Sequence, residues 1–307
     1  MHKPHHGLAR QPGPPLKPRR QVILMCPPGH FGVSYIINPW MDDQIGKVDR
    51  ACATYQWENL RKILAQRADL VFIPPEPGLP DLVFTANAGL VLGDSVIVSR
   101  FSSAERRAEE PFIRAWFERS GFRIVPWPPA IAFEGAGDAL IDRAMPRLWV
   151  GHSFRTDAAA SAVLEQLTGL ATIALNLVDP RFYHLDTCFC PLAGGWLLYY
   201  PAAFSDDSQN AIRALVPENK RIEVCEADAL RFACNAIEIG ANVIFNGASA
   251  HLQGRLRRAG FTPLIAPLSE FMRSGGAAKC LTLKLVEKAQ EGALDSTRPD
   301  RAPRAGM

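Results

Sequence analysis

The chain has 307 residues, of which 48% are hydrophobic, so it is long enough to bury the core of one large domain or two small ones. Its formal net charge is only +3, and the basic residues gather mainly near the two ends, so nothing indicates a nucleic-acid groove. Seven cysteines without regular spacing indicate a reducing compartment rather than a secreted disulfide framework. No apolar run reaches the ~18 residues of a membrane span. We therefore expect a cytoplasmic protein with neither nucleic acid nor membrane as a partner.

The two ends of the chain differ in composition from the middle. Residues 1–20 are rich in Pro, His and Arg and lack the apolar segment of a secretory signal. Residues 293–307 have a similar polar composition. We expect disordered arms at 1–20 and 293–307, and one folded domain over 21–292.

Short apolar strands alternate with amphipathic helices along the folded part. We expect helices at 47–66 and 107–120, and strands at 22–25, 70–74, 82–86 and 89–99. A small turn residue followed by an apolar strand then recurs at 120–126, 168–173 and 259–265, with a weaker copy at 220–224. Spacings of ~40–50 residues are typical of stacked α/β units or of a propeller-like array. A two-domain doubly wound fold is the alternative, but no Gly-x-Gly-x-x-Gly follows the first strand.

The stretch at 274–285 carries a cysteine in an unusual setting. Cys280 follows a Gly-Gly-Ala-Ala loop and precedes an alternating apolar strand, where a substrate can approach it. Lys279 beside it is expected to favour the thiolate, the nucleophilic form. A buried structural cysteine is the alternative for any single thiol. The segment at 183–187 adds His184 and Asp186 on one face of a predicted strand, and the three residue types are the minimum set for covalent thiol catalysis.

Further polar residues lie among apolar neighbours. Asp81 and Asn87 would be ordinary turn residues in isolation, and Glu134 and Asp138 would be solvated acids on either side of a Gly-Ala-Gly step. Several acids with one histidine and one thiol, and without a phosphate-binding loop, indicate a small cationic substrate. A guanidinium is planar and offers five N–H donors, which carboxylates match bidentately.

Two other cysteines, Cys188 and Cys190, are expected to share one face of a strand. No second pair at metal-ligand spacing accompanies them, so the pattern favours core packing over a metal site.

Taken together, these segments resemble the guanidino-group modifying, or pentein, superfamily of arginine deiminases, dimethylarginine dimethylaminohydrolases and glycine amidinotransferases. The matching pieces span the folded part of the chain and are Pro-Asp-Leu-Val-Phe-Thr-Ala-Asn-Ala-Gly (80–89), Phe-Glu-Gly-Ala-Gly-Asp-Ala (133–139), Tyr-His-Leu-Asp-Thr (183–187) and Gly-Gly-Ala-Ala-Lys-Cys-Leu (275–281). The resemblance implies an α/β five-bladed pentein propeller of pseudo-fivefold ββαβ repeats, with the active site at the central axis.

The resemblance also implies roles for individual residues. Cys280 would be the nucleophile and His184 the general acid and base, while Glu134 would bind the guanidinium and help to hold His184. Asp186 would clamp the guanidinium nitrogens. Further substrate-binding positions carried over from the superfamily are Asn38, Asp81, Phe84, Asn87, Arg155 and Arg106, with Arg107 as the alternative to Arg106. No metal or organic cofactor is implied, and a homo-oligomer is left open.

One departure from the deiminase pattern narrows the activity. Deiminases typically carry Phe-Thr-Arg-Asp where this chain has Phe-Thr-Ala-Asn at 84–87. This form, with Asn-Pro-Trp-Met at 38–41, most resembles the arginine dihydrolases, which convert arginine to ornithine, carbon dioxide and two molecules of ammonia. An amide can accept from a guanidinium or, rotated, donate to the ureido oxygen of citrulline for a second attack. The alternatives are a dimethylarginine dimethylaminohydrolase or a deiminase that releases citrulline, then an amidinotransferase, and last a non-enzymatic arginine sensor.

Overall fold

The computed structural model describes residues 20–286. The predicted arms at 1–20 and 293–307 lie outside these residues, apart from Arg20, as does the end of the predicted domain. Helices in the described part are α1 Arg50–Ala65, α2 Glu109–Arg119, α3 Ala160–Thr168, α4 Leu185–Cys188, α5 Asp206–Leu215, α6 Glu226–Ala229, α7 Ala250–Arg258 and α8 Ser269–Met272. Strands are β1 Val22–Met25, β2 Asp69–Phe72, β3 Gly89–Leu92, β4 Ser95–Val98, β5 Arg123–Ile124, β6 Ala139–Ile141, β7 Arg147–His152, β8 Ala171–Asn176, β9 Phe189–Leu192, β10 Trp196–Tyr199, β11 Arg221–Glu223, β12 Ile237–Ile239, β13 Asn242–Phe245, β14 Thr262–Ile265 and β15 Leu283–Val286.

The strands of the described part form five three-stranded sheets of one design. Their orders are β15-β1-β2, β3-β4-β5, β6-β7-β8, β9-β10-β11 and β12-β13-β14. In each sheet the first strand is antiparallel to the second, and the third is parallel to the second. A parallel neighbour needs a crossover connection, and a helix supplies it every time: α1, α2, α3, α5 and α7. The unit is therefore two strands, a helix and a strand, and β15 completes the first sheet from the far end of the described chain.

The recurring segments of the sequence have a common place in this design. They supply β5, β8, β11 and β14, which are the third strands of four different sheets. The third strand of the remaining sheet is β2, which begins at Asp69, one residue before the predicted start at residue 70. The repeat expected from the sequence is thus confirmed as a structural repeat, and the doubly wound alternative is wrong.

Two predicted elements differ from the structure. The strand expected at 82–86 is wrong, because Pro80–Val83 and Thr85–Ala88 form successive 3-10 turns. Pro80 presets the backbone of the first turn, and the whole segment is buried, so its apolar composition reflects burial rather than extended structure. The strand expected at 89–99 is split into β3 and β4 by a turn in which Gly93 adopts a φ of +62°.

Helices cover the sheets with one apolar face. In α2, Ile113 and Phe117 are fully buried against Val96 and Val98 of β4, whereas the charged residues of the helix mostly face outward. Burial of a side chain of this size contributes about 1.5–3 kcal/mol. Helix α1 begins at Arg50 because the Asp49 carboxylate caps it, accepting from the Cys52 N–H at 3.0 Å.

The first strand of every sheet begins just after a segment that carries buried polar residues. Residues 84–88 lead into β3, 134–138 into β6 and 184–188 into β9. Asn235 lies shortly before β12 and Cys280 shortly before β15. These five segments meet at one place in the molecule, and they form the candidate site.

Candidate active site

Cys280 lies in the turn between α8 and β15, and its side chain is almost fully buried. Asn235 donates from Nδ2 to the Cys280 sulfur at 3.1 Å, and its Oδ1 accepts from the backbone N–H of Ala277, Lys279 and Cys280. One asparagine therefore holds both the loop and the thiol. The two Asp186 carboxylate oxygens lie 3.7 and 3.8 Å from Sγ.

The pKa of the Cys280 thiol is raised, first by burial and then by the Asp186 carboxylate. Asn235 and Lys279 act in the opposite direction but do not offset these two effects. Lys279 thus lowers the thiol pKa, as expected from the sequence, but burial and the Asp186 carboxylate outweigh it, so the pKa of Cys280 stays above its usual value in the substrate-free protein.

Gly275 and Gly276 are required because neighbouring side chains approach the backbone of the Cys280 loop closely at these two positions. Gly275 has a φ of +84°, and a Cβ there would lie 2.6 Å from the Tyr183 hydroxyl. A Cβ on Gly276 would collide with the ring of Phe84. The Gly-Gly step thus lets the loop pass between these side chains.

His184 sits at the N-terminal end of the one-turn helix α4 and is buried. Its Nδ1 lies 2.9 Å from Oδ2 of Asp138, and its Nε2 lies 3.3 Å from Oε2 of Glu134. Burial alone would lower the pKa of His184, but the two carboxylates raise it to about 9. At neutral pH the ring is an imidazolium with a proton to donate.

The strand predicted for the His184–Asp186 segment is wrong. His184 is the N-cap of α4 and Asp186 lies within that helix. Cys188 ends α4 while Cys190 lies in β9, so the two cysteines do not share a strand face either. Each of these thiols lies near backbone carbonyl oxygens, within 3.5–3.9 Å. Among residues 20–286 no three His, Cys, Asp or Glu side chains converge as a metal-binding group.

Glu134 is completely buried and ionised. Its Oε1 accepts from the backbone N–H and the hydroxyl of Ser102, at 3.2 and 2.9 Å. Its Oε2 has no well-formed hydrogen bond and lies 3.5 Å from Nη1 of Arg155. Although burial would raise the pKa of Glu134, Arg155 and His184 lower it to about 2. Oε2 is therefore an anionic acceptor able to take a further N–H donor.

Asp186 is the second carboxylate beside the thiol. Its Oδ2 lies 3.9 Å from Nζ of Lys279, and it is 1% exposed. Burial raises the pKa of Asp186 to about 6, with Lys279 and His184 acting against that rise. Because this pKa lies only a little below neutral pH, most but not all Asp186 carboxyl groups are ionised at neutral pH.

The orientation of Asn87 is fixed by its neighbours. Oδ1 accepts from Nη1 of Arg106 at 3.0 Å, and Nδ2 donates to the backbone oxygen of Glu134 at 3.2 Å. Arg106 is itself held bidentately by Glu109, with both contacts at 2.8 Å. Rotating the amide would turn its NH2 group towards the Arg106 guanidinium, so that two donors would face each other. Arg106 therefore excludes the rotation considered from the sequence. Asn87 presents its NH2 group towards His184, 3.3 Å from Nε2.

Arg106 and Arg107 differ in environment. Arg106 is buried, and besides Glu109 and Asn87 it donates to the backbone oxygen of Asp81 at 3.2 Å. Arg107 is exposed and donates to the backbone oxygens of Phe101 and Ser102. The structure therefore brings Arg106, but not Arg107, into the site.

The remaining predicted residues border one side of the site. Asp81 accepts from the Tyr35 hydroxyl at 2.9 Å, and Asn38 donates to the Ser274 backbone oxygen at 3.1 Å. Arg155 donates to the Ile37 backbone oxygen at 2.7 Å, and its guanidinium lies over the ring of Tyr183. Residues 35–40 thus pack against the segments that carry the site.

The sequence assigned no role to Asp138 and Asn235, which contact His184 and Cys280 respectively in the structure. Asp138 holds His184 Nδ1 and also accepts from the Thr156 hydroxyl and the Leu185 N–H, at 2.7 and 3.0 Å. The sequence showed it only as one acid of several. Asn235 stands 45 residues before Cys280 in no recognisable motif, and its sole signal was a polar residue within an apolar run.

The chain is similar in sequence and structure to known proteins. Residues 40–287 match the family model described as N,N dimethylarginine dimethylhydrolase, eukaryotic. The chain is 49% identical over 269 residues to the bifunctional arginine dihydrolase/ornithine cyclodeaminase AgrE of Nostoc sp., which covers 88% of this chain and 38% of that protein. It thus spans about two fifths of the length of that relative. It is also 41% identical to the N(G),N(G)-dimethylarginine dimethylaminohydrolase of Mycobacterium tuberculosis, over 87% of each chain.

A solved structure agrees with the sequence comparison. The N-terminal domain of ArgZ, a cyanobacterial arginine dihydrolase, superimposes with a TM-score of 0.86 at 48% identity, covering 87% of this chain and 98% of that one. No helix within residues 20–286 is long and apolar enough to cross a bilayer. Since the family model and a relative of similar length both match most of the chain, this protein belongs to the N,N dimethylarginine dimethylhydrolase family, within the pentein superfamily.

Proposed function

We propose that the protein hydrolyses the guanidino group of L-arginine through a covalent S-alkylthiouronium on Cys280, and continues to ornithine, carbon dioxide and two molecules of ammonia. The observation that carries the proposal is the amide of Asn87, whose NH2 group donates to the backbone oxygen of Glu134 and lies 3.3 Å from Nε2 of His184, while Arg106 holds its Oδ1. The similarity to two cyanobacterial arginine dihydrolases supports it.

The guanidinium would bind between two anionic side chains. Within residues 20–286, Oε2 of Glu134 has no well-formed hydrogen bond, and the Asp186 carboxylate lies 3.9 Å from Nζ of Lys279 and 3.7 Å from the thiol. A planar cation supplies the N–H groups that both carboxylates accept. Its positive charge beside the sulfur would also favour the thiolate, reversing the effect of Asp186 on the thiol pKa. Substrate binding would thus generate the nucleophile, with the thiol proton released to solvent.

The first half-reaction would then follow from the protonation state of His184. The Cys280 sulfur attacks the guanidinium carbon, and the imidazolium gives its proton to the departing nitrogen, which leaves as ammonia. In the hydrolysis, water gives one proton to His184 and its oxygen to the carbon; the second proton goes to solvent and the C–S bond breaks. A solved variant of the ArgZ N-terminal domain, with asparagine replaced by serine, is covalently bound to a reaction intermediate, which supports a covalent route.

A second cycle distinguishes a dihydrolase from a deiminase. Citrulline is neutral and carries a ureido oxygen, which needs a donor. Asn87 supplies one without rotating, since its NH2 group already points inward while Arg106 holds Oδ1. Thiolate attack on citrulline would release the second ammonia, and hydrolysis would leave an N-carboxylated ornithine that loses carbon dioxide. In this proposal Arg106 positions Asn87 instead of binding the substrate.

The amino-acid end of the substrate would lie beside residues 35–40. Arg155 and Asp81 are buried there with opposite charges, which match an α-carboxylate and an α-ammonium. Asn38 and Phe84 complete this wall, Asn38 through the Ser274 carbonyl and Phe84 through its contact with Gly276.

The five sheets would be arranged as a five-bladed propeller with this site on its axis. The support is that all five first strands start at the site and that their residues line one common cavity. The catalytic domain would span 21–292, in one copy or as a homo-oligomer, without a cofactor. All seven cysteines are free, in keeping with a reducing cytoplasmic setting that would leave Cys280 reduced.

A dimethylarginine dimethylaminohydrolase is the second candidate, favoured by the family model and by the M. tuberculosis relative. The two candidates separate on substrate and product. Purified protein is incubated with L-arginine or with asymmetric dimethylarginine, and ornithine, citrulline, ammonia and dimethylamine are quantified over time. We expect ornithine with two equivalents of ammonia from arginine; citrulline and dimethylamine from the methylated substrate alone would establish the second candidate instead.

A further inference from the structure

Glu109 lies behind Arg106 and binds the edge of its guanidinium that Asn87 does not use. It is the first residue of α2, and its side chain is buried. The two Glu109 oxygens accept from Nε and Nη2 of Arg106, both at 2.8 Å, while Nη1 donates to Oδ1 of Asn87 at 3.0 Å. A carboxylate is thus joined to the Asn87 amide through one arginine, and we call Glu109, Arg106 and Asn87 the amide relay.

The Arg106 guanidinium is held in one position by contacts on its edges and on one face. Nη2 also donates to the backbone oxygen of Asp81 at 3.2 Å, and the guanidinium carbon lies 4.4 Å from the centre of the Phe101 ring. The Asn87 and Asp81 oxygens that it contacts are neutral, so Glu109 supplies the opposite charge that a buried guanidinium requires. Glu109 therefore decides where Nη1 points.

Loss of the Glu109 charge would change the geometry at both ends of the amide relay. Arg106 would keep its own charge and turn towards the next carboxylate that acts on it, that of Asp81. Nη1 would then leave Oδ1 of Asn87, and the NH2 group would lose one of the two contacts that direct it, the other being the Glu134 backbone oxygen. A ureido oxygen would then meet a poorly directed donor.

We propose that Glu109 is a positioning residue that sets which product leaves the site: its carboxylate, through Arg106, keeps the Asn87 amide directed at bound citrulline and so commits citrulline to the second hydrolysis. This inference rests on the proposed function. Guanidinium binding between Glu134 and Asp186 does not use the amide donor, so the first ammonia is released without the amide relay. A site with a neutral Glu109 releases citrulline, and a site with an ionised Glu109 proceeds to ornithine.

The amide relay also makes the product ratio depend on pH. Burial raises the pKa of Glu109 to about 7, and Arg106 acts against that rise. The charged and titratable groups that face Glu109 are Arg106, Asp81, Glu134, Tyr35 and Cys26. As the pH falls through this value, Glu109 takes up a proton and the citrulline fraction rises. Asp186 and His184 serve both cycles, so their protonation changes both rates rather than the ratio.

The test removes the Glu109 charge without changing the shape of the side chain. Glu109→Gln keeps one acceptor oxygen but is neutral, and Glu109→Asp keeps the charge on a shorter side chain. Glu110→Gln is the matched control: Glu110 is the next residue of α2 and holds Arg100 through both oxygens, at 3.0 and 3.2 Å, outside the site. Thermal unfolding of each variant identifies the folded proteins.

Citrulline and ornithine are quantified over time with the full chain and L-arginine, about one pH unit above the Glu109 pKa, where the wild type carries the charge. We expect the ratio of citrulline to ornithine to rise about tenfold in Glu109→Gln, the effect of weakening one charge-assisted hydrogen bond. The ratio should rise less in Glu109→Asp and match the wild type in Glu110→Gln. A ratio in folded Glu109→Gln equal to that of the control would overturn the inference, as would an equal fall of both products.

The wild type provides a test that needs no variant. Its ratio of citrulline to ornithine should rise as the pH is lowered from about one unit above the Glu109 pKa to about one unit below it, and a constant ratio would contradict the amide relay. Folded Glu109→Gln should keep its ratio constant over the same range. A wild type that yields citrulline alone at every pH, or that does not act on arginine, would instead remove the proposed function.

Discussion

Replacing Asn87 with aspartate changes one NH2 group into an oxygen while leaving the shape of the side chain intact. The oxygen that accepts from Arg106 keeps its bond, because the donor at 3.0 Å and the Arg106–Glu109 pair behind it are unchanged. The other oxygen would face the Glu134 carbonyl where Nδ2 now donates at 3.2 Å. The variant therefore keeps the bond from Arg106 but has no donor for a ureido oxygen.

The size of the effect follows from that unpaired group. A buried polar atom left without its partner costs roughly 1–3 kcal/mol, and more when it is charged. Because ~1.4 kcal/mol corresponds to one decade in rate, the second hydrolysis should slow about tenfold or more. The first cycle, which handles a cation, should be affected less. Citrulline should accumulate in Asn87→Asp as a released product where the wild type yields ornithine.

Timed chromatography of citrulline and ornithine measures this effect directly. Asn246→Asp is the control. Like Asn87, Asn246 donates from its NH2 group to a backbone oxygen; its Oδ1 accepts from the Leu268 backbone N–H, and the residue lies outside the site. The control should keep the wild-type ratio of products. Equal ornithine rates in Asn87→Asp and wild type would refute the role given to the amide, and a wild type that stops at citrulline would make the enzyme a deiminase.

Three further outcomes are expected. Cys280→Ser should lose turnover of arginine, because a serine hydroxyl is not ionised near neutral pH; a variant retaining a tenth of the wild-type rate would exclude covalent catalysis by this residue. The pH profile of kcat/KM should be bell-shaped, falling below about 6 as Asp186 becomes protonated and above about 9 as His184 loses its proton, and a flat profile across either limb would contradict that assignment. Asp138→Asn should move the alkaline limb to lower pH, because the carboxylate at 2.9 Å from Nδ1 helps to raise the His184 pKa; an unmoved limb would show that Glu134 alone sets it.

The repeat of the fold was readable from the sequence because each unit buries the same kind of strand. A small turn residue and an apolar run mark β5, β8, β11 and β14, and the spacing of these runs follows from the helix that each parallel strand requires. Cys280 and His184 stand in short local segments whose residue types indicated thiol catalysis, whereas the role of Glu134 was implied only by the resemblance to the pentein superfamily.

Other features depend on contacts between segments distant in sequence, and only the tertiary structure decided them. Asn235 meets Cys280 across 45 residues, and Arg106 fixes the orientation of Asn87 only because Glu109 fixes Arg106. The same holds for the charge states: a lysine next to a cysteine predicts a thiolate, but desolvation and the nearby Asp186 carboxylate outweigh it. Burial and through-space charge are properties of the assembled core, whereas the sequence shows only neighbours along the chain.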